Sequence, residues 1–222
     1  MDGTLVETEE LWGEAMAALA HELGGVFSPE ARKRTVGTSM RVAMAVLYAD
    51  LGVARTEEQL RDDAAWVEDE TAALMTTRGM PWRPGARELL TEVRAAGLAT
   101  ALVTTTPRRI ATLVLDRIAA ELGTSPFDVT VCGDEVPARK PDPAPYRQAM
   151  TALGVDPAAS LVIEDSLVGV TAGLAAGAAV LGIPSLQLLE AQPGLVLRTS
   201  LAGVTVADLA DLVAGRPVAT TP

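Results

Sequence analysis

Four short segments of this chain hold side chains whose types and spacing can do chemistry. Met1-Asp2-Gly3-Thr4-Leu5 places a carboxylate in an Asp-Gly loop; alone the signal is weak, because Asp-Gly is a common turn dipeptide. Leu102-Val103-Thr104-Thr105-Thr106-Pro107 follows an apolar run and opens a helical pattern. Hydroxyls and free amide groups at such a junction suit a transferring phosphoryl group. The plainer reading is that Thr106 caps the helix with Pro107 at its first position, and both can hold. Lys140 lies in Arg139-Lys140-Pro141-Asp142-Pro143, and Lys33 is the only other lysine beside sixteen arginines. A lone lysine in such a loop is ordinarily solvated. Glu164-Asp165 follows Leu161-Val162-Ile163. Adjacent acids beside a core are costly unless a cation compensates them, and a hard oxygen-seeking ion such as Mg²⁺ would do so.

The elements that must position these residues fall into two styles. Residues 8–79 read as almost entirely helical, with apolar stripes at Leu11/Ala15/Ala18/Leu19, Val42/Ala45/Val46/Ala49 and Leu60/Ala64/Val67/Leu74. Gly24-Gly25 and Pro29 mark breaks between helices. After Pro81, helices expected over 84–96, 107–121, 143–153 and 167–176 alternate with apolar runs at Ala99–Val103, Val129–Val131, Leu161–Ile163 and Ala178–Ile183. That alternation indicates a doubly wound α/β domain with a parallel sheet. A further apolar run, Leu195–Leu197, and a helix near Ala207–Ala214 follow, and the tail Arg216–Pro222 reads as frayed. Ligands of open α/β sheets bind at the carboxyl ends of strands. All four chemical segments fall at such ends.

Composition narrows the classes. The chain has 222 residues, 49% of them hydrophobic, and a net charge of −11. That charge argues against a nucleic-acid partner, whose affinity needs basic surface, while a small anion can still be held by a local cluster of cations. Cys132, the single cysteine, allows no internal disulfide and reads as a buried apolar residue near the sheet edge. The acidic start (Glu7, Glu9, Glu10) does not read as a signal peptide, so a cytoplasmic location is expected. Leu167–Leu189 lacks charge over a length that could span a bilayer. Gly177 and Pro184 punctuate it, and a buried helix followed by a buried strand is the better reading, with no membrane partner.

In order and spacing the four segments resemble the motifs of the haloacid dehalogenase-like superfamily, and the resemblance covers essentially the whole chain. It implies a Rossmann-like core of residues 1–7 and 80–222 with an α-helical cap of residues 8–79 that closes over the site and selects the substrate. It implies Asp2 as general acid/base, its backbone carbonyl also ligating Mg²⁺. Thr104, with Thr105 beside it, would bind the phosphoryl group, and Lys140 would neutralise the anions that must meet. Asp165 and, second, Glu164 would be metal ligands. Arg41, after Gly37-Thr38-Ser39, either meets the distal part of an anionic substrate or is simply solvated. Trp12 and Trp66 line a substrate pocket or, more ordinarily, a core, and His21 is given no role.

The activity implied is Mg²⁺-dependent hydrolysis of a small phosphorylated metabolite through an aspartyl-phosphate. Dehalogenase relatives need neither Asp2 nor Glu164-Asp165. The β-phosphoglucomutase relatives carry a histidine where Trp12 stands here, which favours a phosphatase; a mutase-like phosphotransferase, or an inactive phosphate-binding relative, is the alternative. In the family the loop reads Asp-x-Asp-Gly-Thr, and the attacking first aspartate falls one residue before Met1. The chain as given is therefore expected to be inactive, its nucleophile and preceding apolar strand lying upstream in an intact parent.

Overall fold

The computed structural model describes residues 1–216; of the tail expected to be frayed, Arg216–Pro222, Arg216 bonds back to Asp211 and the rest lies outside the described residues. The chain separates into two compact units, Met1–Val6 with Trp82–Pro222, and Glu7–Pro81.

The second unit is helical: α1 (Glu9–Glu22), α2 (Pro29–Thr35), α3 (Met40–Leu51) and α4 (Glu57–Arg78). Ser28 accepts from the Ala31 amide to start α2, and Thr56 with Gln59 forms a reciprocal capping box at the start of α4. Its core gathers Ala15, Met16 and Leu19 of α1, Met44, Leu47 and Tyr48 of α3, and Val67 of α4. The stripe expected on α3 was on the wrong face: Val42 is 48% exposed, while Ala43, Met44, Leu47 and Tyr48 are buried. Met40–Leu51 is apolar on nearly every side, so periodicity alone does not select a face. Packing chooses the larger Met44 and Leu47, and Tyr48 finds a polar partner there. Its hydroxyl donates to buried Asp63 at 2.8 Å, and Arg55 grips the same carboxylate with two bonds of 2.7 Å. Burial, then the Asp63 contact, push the Tyr48 hydroxyl's pKa well up. Asp63→Ala strips both donors of their acceptor and should lower stability by about 2–4 kcal/mol, allowing for the partial exposure of Arg55. A fall in the urea midpoint at unchanged m-value checks this.

The first unit is α/β. It contains α5 (Ala86–Ala95), β1 (Ala101–Val103), α6 (Arg108–Leu122), β2 (Val129–Val131), α7 (Ala144–Leu153), β3 (Leu161–Glu164), α8 (Leu167–Ala176), β4 (Ala179–Gly182), β5 (Leu195–Leu197) and α9 (Val206–Val213). Each expected helix and strand appears, with ends moved by a residue or two. The uncharged run 167–189 is indeed a helix and then a strand, and among the described residues no helix is long and apolar enough to cross a membrane. Cys132 is fully buried directly after β2, where burial raises its thiol to about 11.

The described strands β1–β5 pair in parallel, in two pieces: β1 with β2, and β3–β4–β5, while an isolated antiparallel bridge joins Val6 to Trp82. The hydrogen bonds explain the gap. Thr104 N–H donates to Val131 O and Val129 N–H to Thr100 O, so the even-numbered residues of β1 face β2. Ala179 N–H donates to Ser160 O and Ile183 N–H to Glu164 O, so the even-numbered residues of β3 face β4. Ala101 and Val103, and likewise Leu161 and Ile163, turn their main-chain groups the other way. Both free edges border one cavity of about 610 Å³, walled largely by apolar side chains such as Leu90, Leu102, Met150, Val162 and Leu209, with Met1 and Thr4 also lining it. A single doubly wound sheet was expected; the described strands form two pieces with an apolar slot between them.

Candidate active site

The carboxyl ends of β1 and β3 bring the four chemical segments together within the α/β unit. Gly3 takes φ +66°, and a Cβ there would sit 2.3 Å from Asp165 Oδ2. Only glycine allows both the left-handed turn and that approach. The turn directs Thr4 Oγ1 to Asp165 Oδ1 at 2.7 Å. Asp2 accepts a 2.7 Å bond from Thr106 Oγ1, and Thr104 Oγ1 accepts from the Thr106 amide at 3.1 Å. The capping role considered for Thr106 does not form. Pro107 occupies the N-cap of α6, and the Arg108 amide is satisfied by Asp134 Oδ1 at 2.8 Å. Thr106 is spent on the acid loop because a buried hydroxyl and a nearby carboxylate make the stronger, charge-assisted bond.

Lys140 does not hang in solvent. Its side chain is 5% exposed, and Nζ donates to Glu164 Oε1 and, at 3.0 Å, to Val103 O. Glu164 Oε1 also accepts from the Tyr146 hydroxyl, and Oε2 accepts from Ser166 Oγ at 3.1 Å. Ser166 in turn caps α8 through the Gly169 amide. Burial opposes charge on Glu164, but the Lys140 ammonium, then the Met1 ammonium, and the hydrogen bonds from Lys140 and Tyr146 hold its carboxyl below the usual range. Asp165 is placed differently. Burial first, and the adjacent Glu164 charge second, raise its carboxyl to about 6. The two acids that look alike in sequence thus differ in use: Glu164 is already neutralised by protein donors, whereas Asp165 carries an undercompensated buried charge.

That undercompensation is the feature a divalent cation would correct, and hard carboxylate oxygen is the donor Mg²⁺ prefers. Among the described residues no group of three or more acidic, imidazole or thiol side chains gathers ready to hold a metal ion. Asp165 therefore fits as one ligand, with further oxygens needed from the Asp2 loop, solvent or substrate. Glu164 fits less directly, since each of its oxygens already accepts a bond.

Close packing keeps this arrangement in place. A Cβ on Gly169 would lie 2.0 Å from the Glu164 carboxyl carbon, and that carboxylate is tied by three donors. Gly169→Ala should cost about 1–3 kcal/mol by overpacking, readable as a lowered urea midpoint. Arg41 belongs to the helical unit, where it is two-thirds exposed and makes a bidentate ion pair with Glu57. Trp12 packs against the helical core, Trp66 is 39% exposed, and His21 is exposed. The sequence alone pointed to no site role for Thr4 or Tyr146, and to Thr106 only as a helix cap. Thr4 was flagged only as part of the acid loop; Tyr146, on the first turn of the helix after the lysine loop, had helix phase as its sole signal.

Parallel α/β architecture with hydroxyl, ammonium and carboxylate groups gathered at the strand ends is that of a Rossmann-like domain with its site at the carboxyl ends of the sheet. A family model described as haloacid dehalogenase-like hydrolase matches residues 1–183, and the chain belongs to that family. A phosphorylated carbohydrates phosphatase of Thermotoga maritima is 33% identical over 177 residues, covering 80% of this chain and 79% of that protein. A phosphoglycolate phosphatase of Nitrosospira multiformis is 34% identical over 188 residues, covering 83% and 80%. Among solved structures, a mutant CbbY from Rhodobacter sphaeroides in complex with xylulose-(1,5)bisphosphate is similar at a TM-score of 0.81 and 28% identity, over 93% of this chain and 95% of that one.

Proposed function

We propose that this chain carries most of a Mg²⁺-dependent phosphatase acting on a small phosphate monoester, a sugar phosphate or similar, through an aspartyl-phosphate. The observation that carries the reading is the convergence of Asp2, Thr104, Lys140 and Asp165 at the ends of β1 and β3, with Asp165 undercompensated. The names of its relatives, phosphatases of phosphorylated carbohydrates and of phosphoglycolate, point the same way.

In this mechanism the attacking carboxylate belongs to the residue two before Asp2, outside the residues given. It bonds to phosphorus as the bridging P–O bond breaks, and Asp2 gives its proton to the departing alkoxide. Asp2 then takes a proton from water as water attacks the aspartyl-phosphate, releasing inorganic phosphate and restoring both carboxyl groups. Thr104 holds a phosphoryl oxygen, and the Lys140 ammonium offsets charge as the two anions approach. When bound, Mg²⁺ would supply further neutralisation of the phosphoryl oxygens. The helical unit would exclude water and choose the substrate. Arg41 is a candidate for that choice, because an exposed pair such as Arg41–Glu57 is worth at most about 1 kcal/mol and yields readily to a substrate anion. Trp12, in place of an acid/base histidine, favours a phosphatase over a mutase.

The test is phosphate release from a generic phosphate ester by the chain extended with the residues encoded upstream of Met1. Release that needs Mg²⁺ supports the reading. Absence of release with the upstream aspartate present supports a phosphate-binding relative without turnover.

A further inference from the structure

We propose that Tyr146 is a positioning residue that aims Lys140. The inference rests on the reading of Lys140 as the cation that meets the phosphate. Tyr146 is buried on the first turn of α7 and acts on the ammonium in two ways. Its ring lies under Lys140 Nζ, 4.6 Å from nitrogen to centroid, a cation–π distance. Its hydroxyl donates to Glu164 Oε1, the same oxygen that Lys140 holds. Burial, then the Glu164 charge, push the Tyr146 hydroxyl far above its ordinary pKa, so it stays a neutral donor.

An ammonium has three N–H bonds. Two go to Glu164 Oε1 and Val103 O, which leaves one for a ligand oxygen. A lysine stem has four rotatable bonds, so its last N–H finds a fixed direction only if the other contacts are fixed. Val103 O is fixed by β1. Glu164 Oε1 is fixed by the Tyr146 hydroxyl, with Ser166 holding the second oxygen. The Tyr146 ring adds a further contact to the ammonium. Tyr146 touches no reacting atom in this arrangement; it acts through Lys140 and Glu164.

Only two lysines are present, so the protein labelled with ¹³Cε-lysine gives one signal for Lys140 and one for Lys33. In the chain as it stands, the Lys140 signal should be displaced by the ring. It should stay nearly in place in Tyr146→Phe, which keeps the ring, and collapse toward the Lys33 position in Tyr146→Leu. An unmoved Lys140 signal in Tyr146→Leu, with the fold intact by circular dichroism, would overturn the proposal.

The second readout is turnover of the upstream-extended enzyme. Loss of a hydrogen bond to a charged group predicts a kcat about ten-fold lower in Tyr146→Phe. Loss of the ring as well predicts about 100-fold in Tyr146→Leu, with KM changed far less. Equal kcat in wild type and Tyr146→Phe, or a loss confined to KM, would contradict aiming toward the transition state. Should Tyr146→Leu fail to fold, Tyr146→Phe alone decides through its kcat. Should the extended wild type release no phosphate, the proposed activity fails, while the lysine signals still decide whether Tyr146 holds Lys140.

Discussion

Adding an extended apolar segment ahead of Met1 should raise the stability of this protein by more than any substitution within it. The slot between β1 and β3 is bordered by main-chain groups of Ala101 and Val103 on one side, where Val103 O also accepts from Lys140 Nζ, and of Leu161 and Ile163 on the other. A parallel strand entering there would pair with both edges and turn two sheets into one. Five apolar side chains buried at about 1.5–3 kcal/mol each amount to roughly 8–15 kcal/mol, an upper bound because unfolded chains are partly collapsed. Whole-domain stability is only about 5–15 kcal/mol. The extended protein should unfold in one cooperative transition at a much higher urea concentration and with a larger m-value. The chain of 222 residues should bind an apolar dye that the extended form excludes. Coincident midpoints would mean that the slot is not a strand site.

The second large effect concerns the acids. In the extended enzyme, Asp2→Asn removes the proton carrier and should cut kcat by about 10²–10⁴-fold. Asp165→Ala should abolish the response to Mg²⁺. A pH dependence follows from the same residue. Asp165 has its carboxyl raised to about 6 from an ordinary 3.8, so the folded protein holds that proton more tightly than the unfolded chain does. Its effect on stability is therefore favourable below about 4 and is lost as pH rises through about 6. Above that pH the carboxylate is charged and open to a cation. At sub-saturating Mg²⁺, turnover should fall as pH drops through the raised Asp165 pKa, and more Mg²⁺ should move that limb to lower pH. An acid limb indifferent to Mg²⁺ would remove Asp165 from the metal site.

Much of this was legible in the chain, and the reasons are local. The α/β unit declared itself because Leu161-Val162-Ile163 and its counterparts alternate with amphipathic helices closed by residues such as Gly154. The hydroxyl and acid segments stood out because each ends a strand, where the fold collects ligands; Lys140, in the loop after β2, stood out because only one other lysine is present. Side-chain direction was not legible. Nothing in Glu164-Asp165 tells which acid meets Lys140; that depends on which carboxylate the β3–α8 turn points inward. Thr106 looked like a cap because Pro107 follows it, yet a carboxylate more than a hundred residues away took its hydroxyl. Tyr146 carried no motif, only helix phase. On α3 an apolar helix without a polar face left packing, not pattern, to choose what is buried.

The most direct measurement is a crystal structure of the upstream-extended protein grown with Mg²⁺ and inorganic phosphate. The expected result is an anion held by Thr104 Oγ1 and Lys140 Nζ, with the ion on the Asp165 carboxylate beside it. Phosphate and Mg²⁺ bound elsewhere, with Asp165 and Lys140 touching neither, would contradict it.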